Sequence, residues 1–370
     1  MQPLSAHSVT RWWAARVAAL GPAATDLSDP ATAAATVRAA LDAGLLELAP
    51  PGAGATAGRW TALAALAAAD VTLAKLAEAH ADAVAVLAEL GAPPPGPGQL
   101  WAVWAAVTPL LIARPGAEGR WVLDGRKPWA SGSGCCDHAL VTAAAPDGER
   151  LFAVDLGAAH SGSADQGAAD QGAADQGAAD LGAGTVTPDA ASWPAVAMSG
   201  TGSVTLGFHG VSAVPVGAPG AYVDRPGFLL GGAGIAACWY GGAVGIAFPL
   251  LARVGGPAVD PHRDAHLGAV HAALTATRCA LEDVARTVDG HLPADLTALT
   301  STVRVLAERT ATEVVDRVGR ALGPGPLATD RAHARRVADL TLFVRQSHAE
   351  RDLAALGRHL AAPGSPSVAW

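Results

Sequence analysis

The chain has 370 residues, of which 51% are hydrophobic and 16% charged, and its 33 acidic against 25 basic residues give a formal net charge of -8. This length predicts two or three domains with a buried core. The charge argues against nucleic acid as a partner, because phosphate binding needs clustered lysine and arginine.

The cysteines predict a reducing compartment. There are four, Cys135, Cys136, Cys238 and Cys279, and none belongs to a CxxC pair. Neither a disulfide framework nor a zinc site follows from this pattern, so no metal is expected. The first twenty residues lack the basic start and long apolar core of a signal peptide. We therefore expect a cytoplasmic protein.

Residues 1–100 are predicted to form an N-terminal helical domain. Leucines recur at helical spacing through residues 60–91, so this stretch is predicted to be one amphipathic helix that ends at Gly91. Asp70 and His80 fall on its apolar stripe. A lone histidine in such a place is usually a core residue satisfied by one hydrogen bond.

Residues 101–219 are predicted to form a β domain. The string "RWVLDGRKPWASG" has the character of a strand, an Asp-Gly turn and a second strand. "KPWASGSG" offers an aromatic side chain, hydroxyls and backbone amides, which suit either a planar cofactor or an ordinary turn. An AADQG repeat at about residues 164–182 is too polar to bury a core and is predicted to be a low-complexity surface insertion.

Residues 220–370 are predicted to be helical again. Residues 228–252 contain no charged side chain and are long enough to cross a bilayer. Many of them are glycine or alanine and Pro249 interrupts them, so a buried core helix is predicted and no membrane partner is expected.

A polar decamer, "FVRQSHAERD" at residues 343–352, lies near the end of this region. From the residues alone it is either a site of chemistry or the solvated face of a helix.

The order of helices, β domain and helices, together with local strings, resembles the acyl-CoA dehydrogenase superfamily of flavoproteins. "GRWVLDGRKPWASGSGCCDHALVTA" is similar to the strand and Trp-x-Ser/Thr segment that lies against the flavin. "ATEVVDRVGRALGPGPLATDRAHARRVADL" is similar to the family's C-terminal helix, glycine turn and Arg-x-x-x-Asp run. The resemblance implies an α+β fold: an N-terminal helical domain, a middle β-barrel-like domain and a C-terminal four-helix bundle.

The resemblance also implies cofactor contacts. Trp129, Ser131 and Ser133 would flank the isoalloxazine ring of FAD, and Arg253 would reach the FAD phosphates. Gly323 and Gly325 would form the turn beside the adenine portion of FAD in a neighbouring subunit. A homodimer or homotetramer is therefore expected.

Two family features are absent. The first flavin signature, which contains Thr-Glu-Pro-Gly-Ala-Gly-Ser, is replaced by "WAAVTPLLIAR" at residues 104–114. The catalytic glutamate is absent as well, because Gln346, Ser347 and His348 occupy the Tyr, Glu and Gly positions of the Tyr-Glu-Gly-Thr run. A serine hydroxyl is too weak a base to abstract an α-proton at neutral pH, whereas an imidazole or carboxylate is not.

Three functions remain open from the sequence. The first is FAD-dependent oxidation of a CH–CH bond in a small molecule such as an acyl-CoA, with His348 or Glu350 as base. The second is a flavin-dependent monooxygenase on the same fold, in which His80 and His348 act near the flavin. The third is a non-catalytic relative that binds a partner or serves as a scaffold.

Overall fold

The structure is a computed structural model that describes residues 15, 19, 27–106, 110–157, 184–254 and 259–363. The AADQG repeat lies outside the described residues. The chain divides into two compact units. One comprises Met1–Ala81, Ala195–Thr201 and Pro226–Trp370, and the other comprises Asp82–Pro194 and Gly202–Arg225.

The first unit is helical. Its helices within the described residues are α1 (Pro30–Asp42), α2 (Thr56–Ala69), α3 (Val71–Glu89), which continues into the second unit, α5 (Pro226–Val254), α6 (Pro261–Gly290), α7 (Thr297–Leu322), α8 (Gly325–Thr329), α9 (Arg331–Phe343) and α10 (Glu350–Ala361). A 3₁₀ turn, Val344–Gln346, follows α9. A core of α2, α5, α6 and α7 side chains includes Trp60, Leu230, Leu281 and Val303.

The second unit is a seven-stranded sheet followed by the short helix α4 (Ala221–Asp224). The strands are β1 (Trp101–Trp104), β2 (Leu111–Pro115), β3 (Trp121–Ala130), β4 (His138–Ala145), β5 (Gly148–Asp155), β6 (Thr185–Asp189) and β7 (Val204–Val216). Pairing runs from β4 through β2, β3, β7 and β5 and returns to β4, so these five strands form a closed ring. The ring encloses an apolar core that includes Leu123, Val141, Phe152 and Phe208, and β1 and β6 pair with its strands β4 and β7.

The helix predicted over residues 60–91 is wrong in one respect, because it breaks at Asp70. Asp70 has extended backbone angles, φ -160° and ψ 129°, and separates α2 from α3. Its carboxylate accepts a hydrogen bond from the amide of Thr72 at 2.8 Å and pairs with the guanidinium of Arg335. The apolar period continues through this position, so the break has no signature in periodicity.

Arg335 holds together three separate stretches of the helical unit. Its guanidinium contacts Asp70 and also Asp339, the latter at 2.6 Å. Asp339 accepts a further hydrogen bond from the amide of Met198 at 2.5 Å. All three charged side chains are buried. One guanidinium thus faces two buried carboxylates, and burial raises the pKa of Asp339, while the Met198 amide and Arg335 act to lower it.

The apolar stretch at residues 228–252 lies within α5, and its glycines allow close packing against α2. A Cβ atom at Gly241 would lie 2.1 Å from the carbonyl oxygen of Ala64, and one at Gly245 would lie 2.5 Å from that of Ala68. The helix is long and apolar enough to cross a membrane, and 61% of its most apolar 18-residue window is buried within the protein. The small residues thus bring two helix backbones into contact.

Candidate active site

Trp129 is the most unusual residue of the sheet unit. The pairing of β3 with β7 shifts register between Lys127 and Ala130, which is a β-bulge. Within it Trp129 has φ 62°, in the left-handed region that costs a bulky residue about 1–3 kcal/mol. The residue is 59% exposed, and its indole contacts that of Trp193 edge-on, with ring centroids 5.2 Å apart. The bulge therefore turns a large aromatic face toward solvent.

Hydroxyl groups surround the turn that follows Trp129. The Oγ atoms of Ser131 and Ser203 are 2.8 Å apart, and the Ser133 hydroxyl donates to the carbonyl of Gly202 at 3.2 Å. The indole Nε1 of Trp104 donates to the carbonyl of Ser131 at 2.9 Å. Trp129, Ser131 and Ser133 thus lie on one segment that is fixed from both sides. Their contact with a flavin stays a prediction.

Lys127 lies beneath this segment and was not singled out from the sequence. Its Nζ donates to the carbonyl of Ala106 at 2.9 Å, the carbonyl of Thr142 at 2.7 Å and the Thr142 hydroxyl at 2.8 Å. Burial lowers the pKa of Lys127 to about 8, while the charge of Glu149 raises it. Three acceptors match the three protons of an ammonium group, so the charged form fits this site. Lys127 fixes the end of the segment after β1, where the first flavin signature is absent.

His348 and Asp352 form a pair at the start of α10. The Asp352 carboxylate accepts from the backbone amide of His348 at 2.9 Å and lies 3.2 Å from its Nδ1. An ionised carboxylate only accepts, so Nδ1–H is the donor in this contact. The His348 side chain is 60% exposed. Sequence reasoning missed this role of Asp352, although its spacing of four residues from His348 was visible.

The other candidates in the decamer have structural contacts or face solvent. Ser347 is buried, and its Oγ accepts from the amide of Ala349 at 3.3 Å. Ala349 has φ 46°, so the backbone turns sharply between His348 and α10. Glu350 is the first residue of α10 and is exposed.

His80 is buried in α3 with 4% exposure. Burial lowers its pKa to about 4, because the protein interior disfavours the imidazolium. The ring is therefore neutral at physiological pH. A neutral histidine can position a group by hydrogen bonding but carries no charge of its own.

The predicted phosphate and adenine contacts lie at the ends of three helices. Arg253 is exposed in the last turn of α5. Gly323 ends α7 with φ 68°, a conformation that favours glycine, and Gly325 is the exposed first residue of α8. Their role toward FAD stays a prediction.

A cavity of about 470 Å³ lies over Gly207 on the sheet. It is lined by an ion pair, Arg126 to Asp189 at 3.1 Å, and by Thr187 beside His209 at 3.2 Å. These side chains form their ion pair and hydrogen bond with one another at the protein surface.

No protein-family model matches the sequence, and no curated protein sequence matches it. Solved structures do match along nearly the whole chain. TdsC from Paenibacillus sp. A11-2, solved with FMN and indole, shares 17% identity over 98% of this chain and 98% of its own, with a TM-score of 0.74. Another structure of that protein describes it as a dibenzothiophene monooxygenase.

Two further matches have similar coverage. KijD3, solved with FMN and a dTDP-amino-keto sugar, shares 17% identity over 97% of this chain and 94% of its own, with a TM-score of 0.71. The methanesulfinate monooxygenase MsuC from Pseudomonas fluorescens shares 19% over 98% of both chains, with a TM-score of 0.70. These proteins have the acyl-CoA dehydrogenase fold. The mixed helical and sheet architecture expected from the sequence is therefore confirmed at the level of the fold.

Proposed function

We propose that this chain, which has the acyl-CoA dehydrogenase fold, is a flavin-dependent oxidoreductase and that its reaction is a monooxygenation. Under this proposal the chain has the family's three parts, an N-terminal helical domain, a barrel-like middle domain and a C-terminal four-helix bundle. It forms a homodimer or homotetramer and works in the cytoplasm. The single observation that carries the reaction type is the His348–Asp352 pair, which lies where the dehydrogenases have their glutamate region.

The residues after the β3 bulge fit a flavin. An exposed indole held in a left-handed conformation offers a flat apolar face for a ring system, and the adjacent hydroxyls and backbone amides offer donors for its polar edge. A strained, exposed aromatic residue supports a ligand-binding role, because strain that stability does not require persists at binding sites. Trp129, Ser131 and Ser133 would hold the ring.

A bound flavin would supply the electron transfer and the reaction with oxygen. The chain's own residues would supply general acid–base catalysis and substrate positioning. His348 can accept a proton at Nε2 while Asp352 holds Nδ1–H and stabilises the imidazolium that results. His80, neutral in its buried position, would orient substrate by hydrogen bonding. The sequence favours FAD, with Arg253, Gly323 and Gly325 toward its phosphates and adenine, whereas neighbouring structures contain FMN.

The first test is the absorption spectrum of the purified protein, with released cofactor identified by mass. We expect one flavin per chain, and we expect Trp129→Ala to weaken flavin binding about tenfold or more through lost ring contact. The exposed Val214→Ala on β7 is the control. A colourless protein that takes up neither FAD nor FMN would contradict the proposal and favour the non-catalytic scaffold.

The second test separates the two reactions. Reduced flavin and ¹⁸O₂ are supplied with aromatic heterocycles such as indole and dibenzothiophene, and product is analysed for ¹⁸O. We expect incorporation by the wild-type chain and a loss of about 10²-fold or more in His348→Ala, the usual scale for one acid–base group.

Dehydrogenation of an acyl-CoA is the second candidate function, and exposed Glu350 beside His348 favours it. Anaerobic bleaching of the flavin by members of an acyl-CoA panel, with no ¹⁸O incorporation in the first assay, would replace the monooxygenase proposal with this one.

A further inference from the structure

Arg304 on α7 makes contacts with two other segments of the helical unit. Its Nη1 donates to the carbonyl of Gly232 on α5 at 2.7 Å, and its Nη2 donates to the carbonyl of Gln346 at 3.4 Å. The guanidinium carbon lies 4.9 Å from the ring centroid of the fully buried Trp239. One side chain thus joins α5 and α7 to the 3₁₀ turn that precedes His348.

A second contact, one helical turn further along α7, holds the same turn. Glu308 accepts from Arg345 Nη2 at 2.6 Å, and the Glu308 side chain is only 17% exposed. Arg304 and Glu308, four residues apart, therefore fix the consecutive residues Gln346 and Arg345. Two contacts from one helix restrict both the position and the orientation of the 3₁₀ turn.

The path from Arg304 to the imidazole is short and ordered. The amide of Ser347 donates to the carbonyl of Val344 at 3.0 Å, and the next residue is His348, held by Asp352. The charge of Asp352 also acts on Arg304, where it raises a pKa that burial lowers. Backbone position and local charge at His348 are therefore both connected to Arg304.

We propose that Arg304 is the positioning residue for His348, holding the carbonyl of Gln346 so that the imidazole keeps its orientation; this rests on the role of His348 proposed above. Arginine suits the task because its planar fork donates to two carbonyls while its flat face stacks on an indole. Lysine has one compact ammonium group and cannot make all three contacts together.

The test is hydrogen exchange of the whole chain, read by mass spectrometry on peptides that cover residues 344–352. Arg304→Lys is compared with Arg317→Lys, a control on the same helix that alters a half-buried pair with Glu313. We expect exchange at the amides of Ser347, His348 and Ala349 to rise about tenfold or more in Arg304→Lys only. A rise spread equally over α5, α6 and α7, or no change at residues 347–349, would overturn the proposal.

The monooxygenation assay then distinguishes the two proposals. We expect Arg304→Lys to lower kcat about tenfold with little change in KM, while flavin content stays at the wild-type value. If His348→Ala retains full turnover, the role proposed for His348 fails. If His348→Ala is inactive but Arg304→Lys keeps its kcat despite faster exchange at residues 347–349, the proposed function stands and the positioning role of Arg304 is wrong.

Discussion

At the scale of single residues, burial decides the protonation of His80. Its folded pKa is about 4, whereas an unfolded histidine titrates near 6.5. Between pH 6.5 and pH 4, His80 is protonated in the unfolded chain but not in the folded chain. The folded state therefore loses stability as the pH falls toward 4. Well above pH 6.5 neither state is protonated, and the group no longer affects stability.

We therefore expect His80→Gln to flatten the pH dependence of stability. From pH 7.5 to pH 5, His80 should remove about 2 kcal/mol from the free energy of unfolding of the wild type. Urea denaturation of both proteins at the two pH values measures this difference. Parallel losses in wild type and variant would show that the imidazole is not buried as described.

At the scale of elements, α2 and α5 pack so closely that glycine is required between them. At Gly241 a methyl group would have to occupy the space of the Ala64 carbonyl, which belongs to a helix backbone and cannot rotate away. We expect Gly241→Ala to destabilise the protein by about 3 kcal/mol. Gly268→Ala, at an open position on α6, should stabilise it by about 0.5–1 kcal/mol because alanine favours helix. Thermal denaturation of both variants measures the two changes in stability. If both variants were stabilised, or both destabilised, the close packing of α2 against α5 would be contradicted.

The ion network of Arg335 joins the α2–α3 break to α9. Arg335→Met would leave two buried carboxylates, Asp70 and Asp339, without a counter-charge. We expect a loss of about 3–5 kcal/mol, the usual cost of breaking a buried pair on one side. The exposed pair of Arg320 with Asp316 provides the control, and Arg320→Met should change stability by no more than about 0.5 kcal/mol. If Arg335→Met and Arg320→Met lowered the free energy of unfolding by similar amounts in guanidinium denaturation, the burial of the Arg335 network would be contradicted.

At the scale of the whole molecule, the burial of α5 leads to a prediction about solubility. Most of its apolar window faces other helices of its unit, so its composition serves the core. We expect the full chain, expressed without detergent, to remain in the supernatant after ultracentrifugation. Recovery only from the membrane fraction would overturn the assignment of α5 as a core helix.

Sequence reasoning reached the fold because its signals are local: helical periods, strand strings and the Arg-x-x-x-Asp spacing now seen between Arg335 and Asp339. Sequence reasoning failed for features that depend on residues far apart in the sequence. The break at Asp70 depends on a partner 265 residues away, and the burial of Lys127 depends on strands that pair across the ring. The His348–Asp352 pair was visible as spacing, but its geometry depends on the backbone turn at Ala349.

The contact between Asp70 and Arg335 also has a consequence for how the protein is made. A ribosome adding about 5–20 residues per second needs roughly 15–50 s to synthesise the 265 residues between them. The nascent α2 lacks the apolar face of α5 until residues 226–254 have been made, and Asp70 lacks its ionic partner until Arg335 follows. The emerging chain therefore exposes the hydrophobic surface of α2 for much of the interval that separates Asp70 from Arg335, and we expect chaperones to bind this segment during synthesis.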